Sequence, residues 1–317
     1  MSNYNGVQVS LNGRNYHGLS FNAGYTYSHA LADASDEGRA SDLSVPLNNY
    51  ASTRSQLYMP TNYDLRHRGT ISLTYAVPGK SGYGQMLEGW TLNSVIVMQS
   101  GSPWGQSDLT TDWDGTGELN NAAGSVGGQW NFFGKPSDFT PVHGWTDTNP
   151  QPGGGFAGGL PFSGNDSTGA IMAECTAADM SHFTGSQQQL ALASLANIGC
   201  YAVGNSVLVP PPFGSYGSSG RNLWRDAGFK EVDLSIAKAI KFNDRISTQF
   251  KAEFFNLFNH PIFCNPNGVA GGANSTPGDP SGQPFGAAGS TPDVCASNPE
   301  IGSGGPRSIQ LGLKLIF

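Results

Sequence analysis

Several small groups of residues have the types and spacing to do chemistry. Asp112-Trp113-Asp114-Gly115-Thr116-Gly117-Glu118 opens like a calcium loop, because carboxylates around a glycine turn can converge on a hard cation. The metal candidates are therefore Asp112, Asp114 and Glu118. The other ligands of such a loop are missing, and an acidic, glycine-rich turn accounts for the same residues. Asp64, Arg66 and Arg68 could form a charge cluster facing a lumen, or a solvated turn where a loop meets a strand. Lys251 and Glu253 are two apart, so in a strand they share a face and can pair. His260 could serve as a ligand or base, but Asn256, Asn259 and His260-Pro261 read more simply as a strand end. Cys175, Cys200, Cys264 and Cys295 have no zinc-site spacing.

Catalysis finds no support among these residues. The chain has no Gly-x-Ser-x-Gly elbow, His-Glu-x-x-His, phosphate loop or Cys-x-x-Cys, and its six histidines stand singly. It reads as a non-enzyme without a cofactor. A net charge of -7 argues against a nucleic-acid partner, which would require a basic stripe. No run approaches the roughly 18 apolar residues of a membrane helix.

The elements that must position these residues are strands. Ile309, Leu311, Leu313, Leu315 and Phe317 fall on one face of an extended segment, and Ser308, Gln310, Gly312 and Lys314 on the other. The same alternation appears at Val7 to Leu11 and, after a turn near Gly13 to His17, at Leu19 to Tyr27. It returns at Ile71 to Val77, Trp90 to Met98, Val232 to Phe242 and Ile246 to Phe254. Asn243-Asp244 predicts a tight two-residue hairpin.

Seven strands result, joined by connections that run short, long, short, long, short, long. This asymmetry predicts an all-β, antiparallel transmembrane barrel wall, with tight periplasmic turns and long extracellular loops. Aromatic residues gather at the strand ends, with Tyr75, Trp90, Phe242 and Phe317 at one rim. Tyr25, Tyr27, Phe229 and Phe254 lie at the other, where rings meet lipid headgroups. Most Phe and Tyr are accordingly expected in the wall. The alternative is a secreted or surface β-sandwich serving binding or adhesion, though connections of such length are rare in a sandwich.

The motifs then resemble a family. Asp64-Leu65-Arg66-His67-Arg68, Gln99-Ser100-Gly101-Ser102-Pro103 and Gly220-Arg221-Asn222-Leu223-Trp224-Arg225 look like those of TonB-dependent outer-membrane receptors. The similarity is to the Oar-like branch, which carries a carboxypeptidase-regulatory-like domain. Lys251-Ala252-Glu253-Phe254-Phe255-Asn256-Leu257-Phe258-Asn259-His260-Pro261 and the stretch from Gly305 to Phe317 are its most specific carriers. Tyr25 to Ser35 fits more loosely.

The resemblance implies a 22-stranded barrel occluded by a plug and driven by TonB, taking up an unidentified nutrient across the outer membrane. Residues 1–317 are expected to be the C-terminal part of that barrel, with plug, N-terminal domains and signal peptide outside them. Phe317, Leu315, Leu313 and Leu311 match the signal read by the barrel-assembly machinery. Lys251 and Glu253 face the lumen, and outer-membrane lipid surrounds the wall. Topology puts all four cysteines in extracellular loops, which predicts disulfides Cys175–Cys200 and Cys264–Cys295. These would tie segments with little core of their own. Within loop 101–228 a helix is expected, capped by Ser186 and Gln189, packed through Leu190, Leu192 and Leu195, and ended by Gly199.

Overall fold

The computed structural model describes residues 1–32, 58–80, 83–106, 108, 111–113, 115, 129–143, 160–163, 171–220, 222–260, 262–263, 285–288 and 304–317. In chain order, β1 (Ser2–Tyr16) and β2 (Leu19–Ala32) are followed by the two-residue β3 (Met59–Pro60), then β4 (His67–Ala76) and β5 (Trp90–Gln99). Segment 101–228 contributes β6 (Pro103–Trp104), β7 (Asn131–Phe133), β8 (Val142–His143) and β9 (Phe162–Ser163). Helices α1 (Ala173–His182) and α2 (Gly185–Ile198) come next, then β10 (Cys200–Val203), β11 (Ser206–Val209) and β12 (Trp224–Arg225). Beyond them lie β13 (Phe229–Lys241), β14 (Ser247–Phe255), β15 (Ala287–Ala288) and β16 (Ser308–Ile316).

The long strands form one antiparallel sheet in the order β1-β2-β4-β5-β13-β14-β16, with β3 added beside β2. Each long strand pairs with its predecessor, so the consecutive order read from the alternation is the observed one. Among the described residues no second sheet packs against it to make a sandwich of these strands. The path is linear, and β1 and β16 are its two edges.

Register fixes the two faces. Leu19, Tyr75, Leu92, Ile236, Ala252 and Leu311 form one cross-strand row, and Ser20, Thr74, Asn93, Ser235, Glu253 and Gln310 form the adjacent one. One face is therefore apolar and the other polar along the whole sheet. Phe229 pairs with Gln99, which pairs with Arg68, so it lies on the polar face and not in the apolar rim. A single residue of offset decides the face.

Two turns differ from expectation. β1 runs on to Tyr16, and the turn is His17-Gly18 alone, with φ of 50° and 87°. Two positive φ values match the right-handed twist of a hairpin. A Cβ on Gly18 would also meet the Ala76 carbonyl at 2.5 Å. Between β13 and β14 the connection is five residues, Phe242 to Ile246, not a two-residue hairpin. The Phe242 N–H donates to the Ile246 carbonyl, and the Asn243 side chain accepts from the Arg245 and Ile246 N–H groups. That carboxamide supplies the turn that a bare two-residue loop would have made.

The tightest packing lies outside the sheet. In segment 101–228, β7-β11-β10-β9 form a small sheet, covered on one side by α1 and α2. Trp104, Trp113, Trp130, Phe139, Leu208 and Trp224 make a dry aromatic core, joined by Phe285 from the later loop. This segment therefore has a core of its own, and Phe132, Phe133, Phe139, Tyr201 and Phe285 pack in or against it and not in the wall, where most Phe and Tyr are expected from the sequence. A second cluster holds Cys175, Cys200, Leu195, Val207 and Val209.

α2 starts two residues before the expected capping box. Thr184 is its N-cap, without a side-chain cap bond, so Ser186 and Gln189 do not cap it. Gly199 ends it as read, with φ 106° and its N–H on the Leu195 carbonyl. Leu195 is buried, Leu192 packs on the second cluster, and Leu190 is exposed.

Candidate functional site

The motifs that are scattered in sequence meet at one place, where the sheet gives way to the cap formed by segment 101–228. Asp64, in the connection before β4, is fully buried. Its Oδ1 accepts the Ala30 N–H at 2.7 Å and lies 3.1 Å from His29 Nδ1. Its Oδ2 accepts Arg66 Nε at 3.0 Å and also takes the Arg225 guanidinium, which donates a second bond to the Asp64 carbonyl at 2.7 Å. Burial pushes this carboxyl up. The bonds from Ala30, His29, Arg225 and Arg66 outweigh burial and hold it below the ordinary aspartate value.

Asp64 is thus neither part of a solvated turn nor aimed into a lumen. It is the hub of a buried lock between β2, the β4 approach and β12. Arg68 takes no part and lies exposed. Removing one member of such a buried ion cluster leaves the others uncompensated.

The neighbouring motifs complete the lock. Ser100 Oγ accepts the His67 N–H at 3.1 Å, and the Ser100 N–H returns to the His67 carbonyl at 2.8 Å. A Cβ on Gly101 would stand 1.6 Å from the Asp226 carbonyl, so only glycine lets these backbones cross. Asn222 Nδ2 donates to the Pro60 carbonyl and Asn62 Oδ1. β6 pairs with β12, Trp104 opposite Trp224 and Pro103 opposite Arg225. Both ends of the cap segment therefore leave the sheet through one clasp.

A second knot joins β14 to β16. Asn256 is buried with φ 48°, and its carboxamide accepts the His260 N–H at 2.9 Å and donates to the Gly305 carbonyl at 2.8 Å. Asn259, at φ 53°, accepts the Arg307 N–H at 3.0 Å. Asparagine tolerates this left-handed backbone better than most residues. These residues end the strand, and His260 enters through its backbone.

The other predicted residues fall as follows. Lys251 Nζ and Glu253 Oε1 are 2.6 Å apart on the polar face, both partly exposed. Leu311, Leu313, Leu315 and Phe317 are exposed on the apolar face or just past β16. Cys175 and Cys200 form a disulfide that ties α1 to β10, while Cys264 and Cys295 lie outside the described residues. Asp112 Oδ1 accepts the Gly115 N–H at 3.0 Å, an Asx-type turn, and Asp114 and Glu118 lie outside the described residues. Among the described residues no group of three potential ligands gathers for a metal.

Sequence reasoning missed α1 and what it carries. Asp179, on α1, is fully buried, and neither carboxylate oxygen has a hydrogen-bond partner. Burial pushes it up to about 7. The same helix lends Glu174, Ser181 and His182 to an open cleft of about 700 Å³, lined also by Phe133 and Asn205. The Phe133 and His182 rings stack at 3.7 Å.

With an apolar outer face, a polar inner face and a capped rim in view, comparison with known families decides the class. The family model described as an outer membrane beta barrel domain matches residues 1–310. The chain belongs to that family. No curated protein gave a significant match. No solved structure gave one either. Family membership places this outer-membrane barrel in the Gram-negative outer membrane and turns its apolar face toward lipid. The row of exposed Leu311, Leu313 and Leu315 is then a solvent-matched surface and not an aggregation hazard.

Proposed function

We propose that the chain forms part of the wall and the extracellular cap of a TonB-dependent receptor of the Oar-like branch, which transports a nutrient and performs no catalysis. The observation that carries the reading is the open sheet. Seven consecutive antiparallel strands put β1 and β16 parallel to each other, so they cannot close on themselves as an all-antiparallel barrel. This supports a wall with further strands between them. As the resemblance implies, residues 1–317 are read as the C-terminal part of a larger, 22-stranded wall, whose plug and TonB-binding segment belong to the rest of the receptor.

In this reading Lys251 and Glu253 line the lumen, and the cap cleft at Phe133 and His182 faces the incoming ligand. Leu311 to Phe317 are read by the barrel-assembly machinery. Cys264 and Cys295 form the second disulfide.

Two measurements test the reading. Cysteines at Val9 and Leu313, in the whole receptor, should not cross-link to each other. A high-yield Val9–Leu313 bridge would mean that the sheet closes alone. Phe317→Asp should abolish surface display while synthesis continues, and normal display would remove the assembly signal. Site-directed cross-linking to TonB decides the energy source.

A further inference from the structure

Helices α1 and α2 form a hairpin whose two legs share one covalent root. Cys175 lies in the first turn of α1, Cys200 directly follows the Gly199 that ends α2, and the disulfide joins them. The Met172 N–H donates to Ser163 Oγ at 3.0 Å and ties the same end to β9. At the far end the elbow is braced within the hairpin, where Gln188 Nε2 donates to the Met180 and Phe183 carbonyls at 2.9 and 3.0 Å. Its hold on β7 is aromatic. The Phe133 ring stacks on His182 at 3.7 Å and meets Phe183 edge-on at 6.4 Å. The hairpin is thus rooted at one end and latched at the other.

α1 turns different faces to its two sides. Glu174, Ala178, Ser181 and His182 line the open cleft with Phe133. Cys175 and Asp179, one turn apart on a common face, are fully buried. That face packs on α2, β10 and β11. Nothing there answers a charge on Asp179. α2 and β11 contain no ionisable residue, and in β10 Cys200 is bridged and Tyr201 belongs to the aromatic core. The carboxylate tied to β11, Asp138, is of like charge and accepts from Ser206 Oγ at 2.6 Å. Lys135 reaches Ser206 through its backbone and is itself exposed. Even the buried Ser194 hydroxyl of α2 makes no bond to Asp179. An ionised carboxylate at this position is destabilised by burial without compensation.

We propose that residues 172–199 form a flap, hinged at the Cys175–Cys200 disulfide and latched at Phe133–His182, which ionisation of Asp179 releases. In the closed flap the carboxyl is pushed up to about 7 by burial, against an ordinary 3.8 once water reaches it. Below about 4 both positions hold the proton, and the flap stays closed. Between about 4 and 7 only the closed position holds it, so each pH unit favours opening about tenfold. Above 7 neither holds it, and the effect is complete. Opening breaks the ring stack and moves the cleft wall that carries Glu174 and Ser181 away from β7. The disulfide keeps the hairpin attached throughout. The cap is then shut in acid and free to open at neutral pH. The flap rests on the cap alone and is independent of the transport reading, so loss of TonB dependence would leave it standing.

Hydrogen exchange of the whole receptor, corrected for the intrinsic pH dependence of amide exchange, tests it. Opening of the amides in 176–198 should rise about tenfold per unit from about pH 4 to 7 and level off above. β13 and the clasp at residues 222–226 should show no such slope. Asp179→Asn should flatten the profile at the closed level. Phe133→Ala should raise opening at every pH and keep the slope, since it removes the latch and not the charge. A slope that persists in Asp179→Asn overturns the proposal, because the responsible proton then sits elsewhere. An equal slope at residues 222–226 also overturns it, because the whole cap and not a flap is then opening.

Discussion

The wall and the cap use apolar side chains in opposite ways. In the wall the large aliphatic residues point outward, and Leu313 is 76% exposed. In the cap they turn inward, and Trp104 and Trp130 have no exposed surface at all. Each solution matches its solvent. The wall is stabilised by backbone pairing in a medium that cannot offer hydrogen bonds, so its strands must be long and continuous. The cap sits in water and is held by aromatic burial, so two- to four-residue strands suffice once Trp104, Trp113, Trp130 and Trp224 close around them. Even the polar part of that core is internal, since Asp108 Oδ2 accepts the indole N–H groups of Trp113 and Trp130 at 2.7 and 2.9 Å.

The largest effect is expected where the two regions join. Asp64→Ala should cost about 3–5 kcal/mol, because Arg66 and Arg225 would be left without their counter-charge. Hydrogen exchange should show lost protection around residues 222–226 and an intact β13. Uniform loss across the sheet would mean that wall and cap are one cooperative unit. The carboxyl of Asp64 is depressed in the fold, so its contribution is full above the unfolded value near 3.8 and fades as pH falls through the lower folded one.

Asp179 should behave in the opposite sense. Its folded value of about 7 exceeds the ordinary 3.8, so the unfolded cap sheds this proton first. Cap stability should therefore fall as pH rises from about 4 to 7 and level off above, by up to about 4 kcal/mol. Asp179→Asn should remove that slope in a thermal-melt series, and a slope that persists would place its origin elsewhere.

Reduction of Cys175–Cys200 should lower cap stability by about 3–4 kcal/mol in the chain-entropy model, given a separation of 25 residues. Strand protection in the wall should not change, and a parallel loss there would erase the distinction between the regions. The smallest effect belongs to Lys251 and Glu253. A double-mutant cycle should give under about 1 kcal/mol, since both side chains keep access to water.

The legible part of the molecule is the part with period. Seven strands, their order and their two faces follow from alternation alone, because every wall residue answers to lipid on one side and a polar interior on the other. The errors cluster where the period is broken. The ring of Phe229 suggests the aromatic rim, whereas its parity puts it on the polar face. The five-residue turn after Lys241 depends on where Asn243 aims its carboxamide. The lock was invisible for another reason: Asp64 and Arg225 are 161 positions apart, and no local pattern predicts their meeting. The cap hid behind its glycines and prolines, because strands such as Trp224–Arg225 are too short to show alternation. Asp179 gave no signal, since a lone aspartate in a helix usually reads as a solvated one.

The clasp in which Pro103 and Trp104 pair with Arg225 and Trp224 has an evolutionary consequence. It works as a fixed doorway: whatever length of chain lies between its two posts enters and leaves the wall at the same spacing. Lengthening or replacing the enclosed segment then changes closure entropy only logarithmically, and the strands on either side need not shift register. Selection can rewrite the surface offered to the environment while the membrane-spanning frame stays still. A chimera that exchanges everything between Gln106 and Asn222, and keeps the four paired residues and Asp64, is the smallest transplant this architecture should accept.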